Sequence, residues 1–290
     1  MSLPAPQLLD LPTGRLAYRR AGQGPSLLLI HGWGGSSRYW IGAFALLTER
    51  YDLIAVDLPG CGASSPPPGP ATLAQLAQSV IHLTEALELQ QPVLVGHSLG
   101  AAVALLVAAA RPTLARRLSL VSFGLPRSAD EAAMLGGLNL ALRNNVALWS
   151  PWLVLWSPWL ALFRPWNQLF WTTPPLPVLL ASAMVNRPSD VPYAAMSLGV
   201  ADLATMDVRV ALETASTTGD PSVGLAASQV QVPTLVISGR NDPLFPPAAS
   251  AALAQALPDA GLVLLDSCGH VPMAERPAAF YATLDGFVAP

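Results

Sequence analysis

Apolar residues recur along this chain in two rhythms. The first is the short unbroken run: Ser26–Ile30, Tyr51–Val56, Pro92–Val95, Leu118–Phe123, Pro233–Ser238 and Gly261–Leu265, most of them followed by a turn rich in glycine or polar residues. Runs of that kind, without polar alternation, are the pattern of strands covered on both faces in a mostly parallel sheet. The second is a helical period. Between Thr72 and Leu89 the apolar positions are Leu73, Leu76, Ala77, Val80, Ile81 and Leu87, and Thr72 is placed to cap the first turn. Ahead of both, Leu8 to Arg20 reads as a hairpin turning at Pro12-Thr13-Gly14. Strand and helix then alternate, which predicts an α/β fold with helices on both faces of the sheet.

Chemistry-bearing residues fall where the strand runs end. Gly96-His97-Ser98-Leu99-Gly100 lies between Pro92–Val95 and an alanine-rich helix reaching about Ala110, the strand, sharp turn and helix of a nucleophile elbow. Such a turn brings strand and helix so close that only small residues fit two positions either side of the serine, and Gly96 and Gly100 meet that need. The partners expected in chain order are a carboxylate and a histidine. Asp242 follows the run Pro233–Ser238, and His270 follows Gly261–Leu265 through Asp266-Ser267-Cys268-Gly269. Asp242 is preferred to Asp130 or Glu131 as the acid, because the run ending at Gly124 has no acid directly after it. After Ser26–Ile30 comes His31-Gly32-Trp33-Gly34-Gly35, a turn able to present a backbone amide to a developing oxyanion. The donors are read as the amides of Trp33 and Leu99.

With these motifs in this order, the chain resembles the α/β-hydrolase superfamily, in its serine-nucleophile, carboxylesterase-like branch. The segment Asp57-Leu58-Pro59-Gly60-Cys61-Gly62-Ala63-Ser64 resembles the turn that precedes the elbow in many members. The resemblance implies a core formed by residues 1–125 and 230–290, with 126–229 inserted as a helical cap or lid. It also implies a Ser98-Asp242-His270 triad that passes an acyl group to water through an acyl-enzyme. Serine at the nucleophile position argues against the dehalogenase and epoxide-hydrolase branches, which use a carboxylate. Esters with an apolar acyl or alcohol part are the favoured substrates. C–C bond hydrolysis and cleavage of acyl-carrier methyl esters stay open, with Arg127, Arg143, Arg164 and Arg187 as the basic residues either would use. A protein of this fold that binds a small molecule without catalysis also stays open, because fold alone does not fix chemistry.

The inserted stretch carries its own signature. Leu148-Trp149-Ser150-Pro151-Trp152, Leu155-Trp156-Ser157-Pro158-Trp159 and Leu162-Phe163-Arg164-Pro165-Trp166 repeat one pattern every seven residues, and six of the eight tryptophans lie between Trp149 and Trp171. Interior prolines cost a helix about 3 kcal/mol each, whereas Ser-Pro suits a helix start, so short kinked segments are expected. A lid whose Trp149, Trp152, Trp156 and Trp159 line an apolar acyl pocket is the favoured reading. Docking on lipid or on a partner, and ordinary packing, are the alternatives. The charge-free stretch from Asn144 to Phe163 is long enough to span a bilayer, but its two prolines and two serines argue against that.

Composition narrows the picture further. The 290 residues are 52% hydrophobic and 11% charged with a net charge of −3, enough apolar material for a large core and no basic cluster for nucleic acid. No metal-ligand spacing, phosphate loop or dinucleotide fingerprint occurs, so no cofactor is expected and the partner is a small-molecule substrate. Cys61 and Cys268 read as two small buried thiols and not as a disulfide. Met1 to Pro6 lacks the charged start and apolar stretch of a signal peptide, which makes a cytoplasmic location the expectation. His31, His97 and His82 read as structural.

Overall fold

The computed structural model describes residues 3–138, 140, 141, 144, 173, 175, 178, 179, 182–215 and 219–289. Its centre is one eight-stranded sheet. The hairpin forms as β1 (Gln7–Leu11) and β2 (Gly14–Ala21), followed by β3 (Ser26–Ile30), α1 (Ile41–Leu47), β4 (Asp52–Val56), α2 (Leu73–Ala86), β5 (Val93–His97), α3 (Leu99–Ala110) and β6 (Arg117–Val121). Among the described residues, α4 (Tyr193–Thr205), α5 (Val208–Ala215) and α6 (Pro221–Ala227) precede the next strand. The chain closes with β7 (Thr234–Gly239), α7 (Pro247–Ala256), β8 (Ala260–Leu265), α8 (Pro272–Glu275) and α9 (Pro277–Val288).

The order across the sheet is β1-β2-β4-β3-β5-β6-β7-β8. β1 and β2 are antiparallel to their neighbours, and every pairing from β4 through β8 is parallel. The two-residue period of the strands sorts their side chains into two cores. Leu28 and Ile30 of β3, Ile54 and Val56 of β4 and Leu94 of β5 face α2, α3 and α6. Leu27 and Leu29, Leu53 and Ala55, and Val93 and Val95 face the opposite way, onto α1 and α9 through Phe44, Leu47, Phe280, Tyr281 and Leu284. Coverage on both faces is why these strands read as unbroken apolar runs.

Helix α2 starts where its pattern predicts: the Thr72 hydroxyl accepts from the Gln75 amide at 3.2 Å. Strand β6 stops at Val121, short of Phe123, because Ser122 adopts φ +49° and turns the chain out of the sheet. Among the described residues no helix is long and apolar enough to cross a membrane, and no cluster of His, Cys, Asp or Glu could hold a metal ion. The tryptophan repeat, Trp149, Trp152, Trp156 and Trp159 included, lies outside the described residues, as do Arg143 and Arg164.

Candidate active site

Parallel strands β3, β5, β7 and β8 all deliver their carboxyl ends to one edge of the sheet, and the candidate groups gather there. Ser98 sits between the last residue of β5 and the first of α3 with φ +53° and ψ −118°, a backbone conformation that side chains seldom occupy. Its amide donates to the carbonyl of Val121 at 2.9 Å. The flanking glycines are sterically required. A Cβ on Gly96 would stand 2.2 Å from the Gly100 carbonyl oxygen, and one on Gly100 would stand 2.4 Å from the carbonyl oxygens of both Ile30 and His31.

Asp242 and His270 meet. Nδ1 of His270 lies 2.9 Å from Oδ2 of Asp242, and both side chains are almost wholly buried. The other carboxylate oxygen of Asp242 accepts the amides of Leu244 at 2.8 Å and Phe245 at 3.0 Å. With one oxygen occupied by backbone, the carboxylate has one direction left to offer, and it points at the imidazole. His270 is further stacked by Phe245, ring centroids 6.0 Å apart.

Two carboxylates unannounced by motif also shape this edge. Glu275, at the end of α8, is buried and accepts the amides on either side of His270, from Gly269 at 2.8 Å and Val271 at 3.0 Å, and that of Asn186 at 2.8 Å. Asp202 of α4 is buried as well. It accepts from the Ser36 hydroxyl at 2.7 Å and from Arg38, whose Nε lies at 3.0 Å. Burial pushes the Asp202 carboxyl above its ordinary range, opposed by the bonds from Arg38 and Ser36. An acid standing alone in the apolar helix Tyr193–Thr205 was the only trace of Asp202 in the sequence.

The three histidines read as structural divide into distinct roles. His31 is buried, donating from Nδ1 to the Gly32 carbonyl at 2.7 Å and accepting the Leu58 amide at Nε2 at 3.0 Å, so it braces the glycine turn as a neutral ring. Burial lowers its pKa accordingly. His97 lies under the elbow. Its Nε2 donates to the backbone carbonyl of His270 at 2.8 Å, and burial, helped by the neighbouring His270, pulls its pKa down to about 3. His82 packs on α2 with the Gln78 amide 2.7 Å from its Nε2.

The turn holding Trp33 abuts the elbow: a Cβ on Gly32 would approach Ser98 Cβ to 3.2 Å. Trp33 and Leu99 thus belong to two adjoining segments, one at each side of Ser98. Asp57, from the turn after β4, accepts the Ser37 amide at 2.5 Å and the Ala63 amide at 2.9 Å. Asp52 is taken by Arg20 at 2.8 Å. Cys61 and Cys268 are both buried free thiols, each pushed up to about 12 by burial. Of the arginines considered for an anionic substrate, Arg127 is paired with Glu131 at 2.9 Å.

The chain as a whole is similar to known proteins. The chain is 31% identical over 266 residues to the pimeloyl-[acyl-carrier protein] methyl ester esterase of Nitrosomonas europaea, covering 91% of this chain and 96% of that protein. A shorter stretch of 110 residues is 44% identical to the uncharacterized protein Rv2715 of Mycobacterium tuberculosis, and there the chain spans 32% of the relative's length. In three dimensions it superposes on the crystal structure of a hydrolase from Pseudomonas aeruginosa PA01 with a TM-score of 0.73 and 26% identity, covering 98% of each chain. Residues 25–277 match the model of the α/β hydrolase fold, and the chain belongs to this family.

Proposed function

We propose that the protein is a serine hydrolase of carboxylic esters whose acyl or alcohol part is apolar, and that Ser98, His270 and Asp242 act as one catalytic unit. The observation that carries this reading is the 2.9 Å contact between His270 Nδ1 and Asp242, at the same sheet edge as a serine held in a strained elbow. Asp242 keeps the proton of His270 on Nδ1, which leaves Nε2 to take the proton of Ser98 as its oxygen attacks the ester carbonyl. The amides of Trp33 and Leu99 receive the charge that develops on the carbonyl oxygen. Nε2 then protonates the departing alkoxide, and a water repeats the attack on the acyl-enzyme with His270 again as base. A pimeloyl methyl ester is itself a carboxylic ester, so the Nitrosomonas relative supports the bond type. The inserted region, 126–229, is read as the cap that sizes the pocket.

Steady-state hydrolysis of p-nitrophenyl esters from acetate to laurate tests the reading, with p-nitroanilide and carbamate analogues run beside them. Wild type is expected to prefer esters, and Ser98→Ala to lower kcat by roughly 10⁴-fold or more. Turnover untouched by that substitution, or none on any ester, would overturn it.

A further inference from the structure

The turn between β3 and the short 3-10 helix at Ser37–Trp40 is gripped from two sides by carboxylates of different origin. From the core, Asp57 takes the Ser37 amide at 2.5 Å. From the inserted helix α4, Asp202 takes the Ser36 hydroxyl at 2.7 Å and the Arg38 guanidinium at 3.0 Å. Two further contacts come from the inserted helices, and the turn adds one of its own. Leu203 packs against Gly34, where an added Cβ would stand 2.9 Å from Leu203 Cδ1. The Trp33 indole donates to the Ala211 carbonyl at 3.1 Å. The turn closes on itself through the Gly35 amide and the Gly32 carbonyl at 3.1 Å. Trp33, the residue whose amide faces the developing charge in the function proposed above, keeps an exposed side chain, but its turn is contacted from the core on one side and from the inserted helices on the other.

Burying a carboxylate costs several kcal/mol before its partners repay it, and an apolar residue would have packed against α4's neighbours without that cost. What the carboxylate supplies is direction. Leu203 holds the turn by contact alone, which tolerates sliding, and the Trp33 indole adds one neutral hydrogen bond, whereas two charge-assisted bonds from one buried side chain fix the position of Ser36 and Arg38 along the chain. A displacement on the order of 1 Å at a catalytic group costs about 10²-fold in rate, so direction at this point matters to catalysis.

We propose that Asp202 is a positioning residue: it acts through Ser36 and Arg38 to hold the Gly32–Gly35 turn so that the Trp33 amide meets the oxyanion. The inserted helices then do more than cover the pocket. They complete the geometry that stabilises the transition state, and the proposal rests on the ester-hydrolase reading above.

The test compares wild type, Ser98→Ala, Asp202→Asn and Ser36→Ala on p-nitrophenyl acetate and p-nitrophenyl octanoate. Binding of butylboronic acid, which forms a tetrahedral adduct on a reactive serine, is measured on the same samples. Glu213→Gln serves as the control, because Glu213 joins α5 to a different turn through the Ala71 amide at 2.7 Å. The expectation for Asp202→Asn is a fall in kcat of about 10- to 100-fold on both esters, up to what losing one oxyanion donor costs. KM should stay within about twofold and boronate affinity should fall by the same factor as kcat. Ser36→Ala removes the bond to Asp202 and the cap on the Arg38 amide while leaving the carboxylate paired with Arg38; it is expected to show the same division with a fall in kcat of about 3- to 10-fold, so a misfolded Asp202→Asn does not end the test. Control kcat should be unchanged. Asp202→Asn and Ser36→Ala that raise KM for octanoate alone, or that only lower the melting temperature, would overturn the proposal and leave the ester reading standing. Wild-type turnover that does not depend on Ser98 would overturn both.

Discussion

The elbow around Ser98 and the turn around Trp33 lie against each other at the same edge of the sheet, yet they are held by different parts of the chain. The approaches that make glycine necessary at the elbow are backbone against backbone: Gly96 against Gly100, and Gly100 against Ile30 and His31, with the Ser98 amide on Val121. The Trp33 turn has core contacts on one side only. Its other side is Asp202, Leu203 and Ala211, from helices that enter the chain more than a hundred residues later. The first device is steric and self-contained, and the second is assembled from two regions and depends on both.

Alanine substitutions separate the two most sharply. In Gly100→Ala the new Cβ meets carbonyl oxygens of β3 and the turn beyond it at 2.4 Å, and β3 is a central strand that cannot retreat. Overpacking against fixed backbone is expected to cost about 3 kcal/mol or more, a fall in melting temperature on the order of 6–12 °C for a domain of this size, or to prevent folding. In Gly34→Ala the obstacle is the end of a flexible Leu203 side chain, and the left-handed backbone at φ +71° is the larger penalty, about 1–2 kcal/mol. Thermal denaturation of both variants decides the matter, and a Gly34→Ala loss as large as that of Gly100→Ala would remove the distinction.

The same contrast explains what could be read from the sequence. The strands, their order of appearance and the elbow are set by short-range rules: two-sided burial makes apolar runs, and a strained turn makes glycine obligatory at 96 and 100. The Asp242–His270 approach was legible because each follows a strand whose carboxyl end must lie on the same edge. Asp202 and Glu275 were not legible. Neither has a local motif, since the partners of Asp202 lie 164 and 166 residues away and those of Glu275 include an amide 89 residues away. His31 and His97 are read from the sequence as structural, and the partners of their rings follow only from the tertiary fold.

Glu275 is an intermediate case and tests how far the division reaches. Its carboxylate joins the His270 loop to Asn186, which precedes helix α4. Glu275→Gln keeps the shape but turns one acceptor into a donor that faces amide donors. Hydrogen bonds to a charged acceptor are worth about 1.5–3 kcal/mol, so urea denaturation should show a loss of that order. If the loop is held by this carboxylate, kcat should fall roughly tenfold as His270 loses its fixed position, with KM little changed. A variant that is less stable but has full kcat would mean that the His270 amide on the Met184 carbonyl, at 2.8 Å, and the Asp242 bond hold the ring unaided.

An effect that appears only as pH falls comes from the two buried histidines, one under the elbow and one inside the turn. Burial holds the folded pKa of each below the ordinary value of about 6.5, to about 3 for His97. Below pH 6.5 the unfolded chain therefore takes up protons that the folded chain refuses, and stability falls as pH falls. For His97 the window runs from about pH 6.5 down to about 3, with a slope approaching 1.4 kcal/mol per pH unit, or about 2 kcal/mol by pH 5. Asp202 works in the opposite sense, since a carboxyl raised by burial gains stability as it protonates. The wild-type slope is thus a difference of terms, and a single substitution isolates one of them. His97→Gln retains a donor for the His270 carbonyl without a titrating ring, so its stability between pH 7 and pH 5 should decline about 2 kcal/mol less than that of wild type. Curves that run parallel would mean that His97 is not held neutral, and that the elbow is less closed to water and protons than its backbone packing requires.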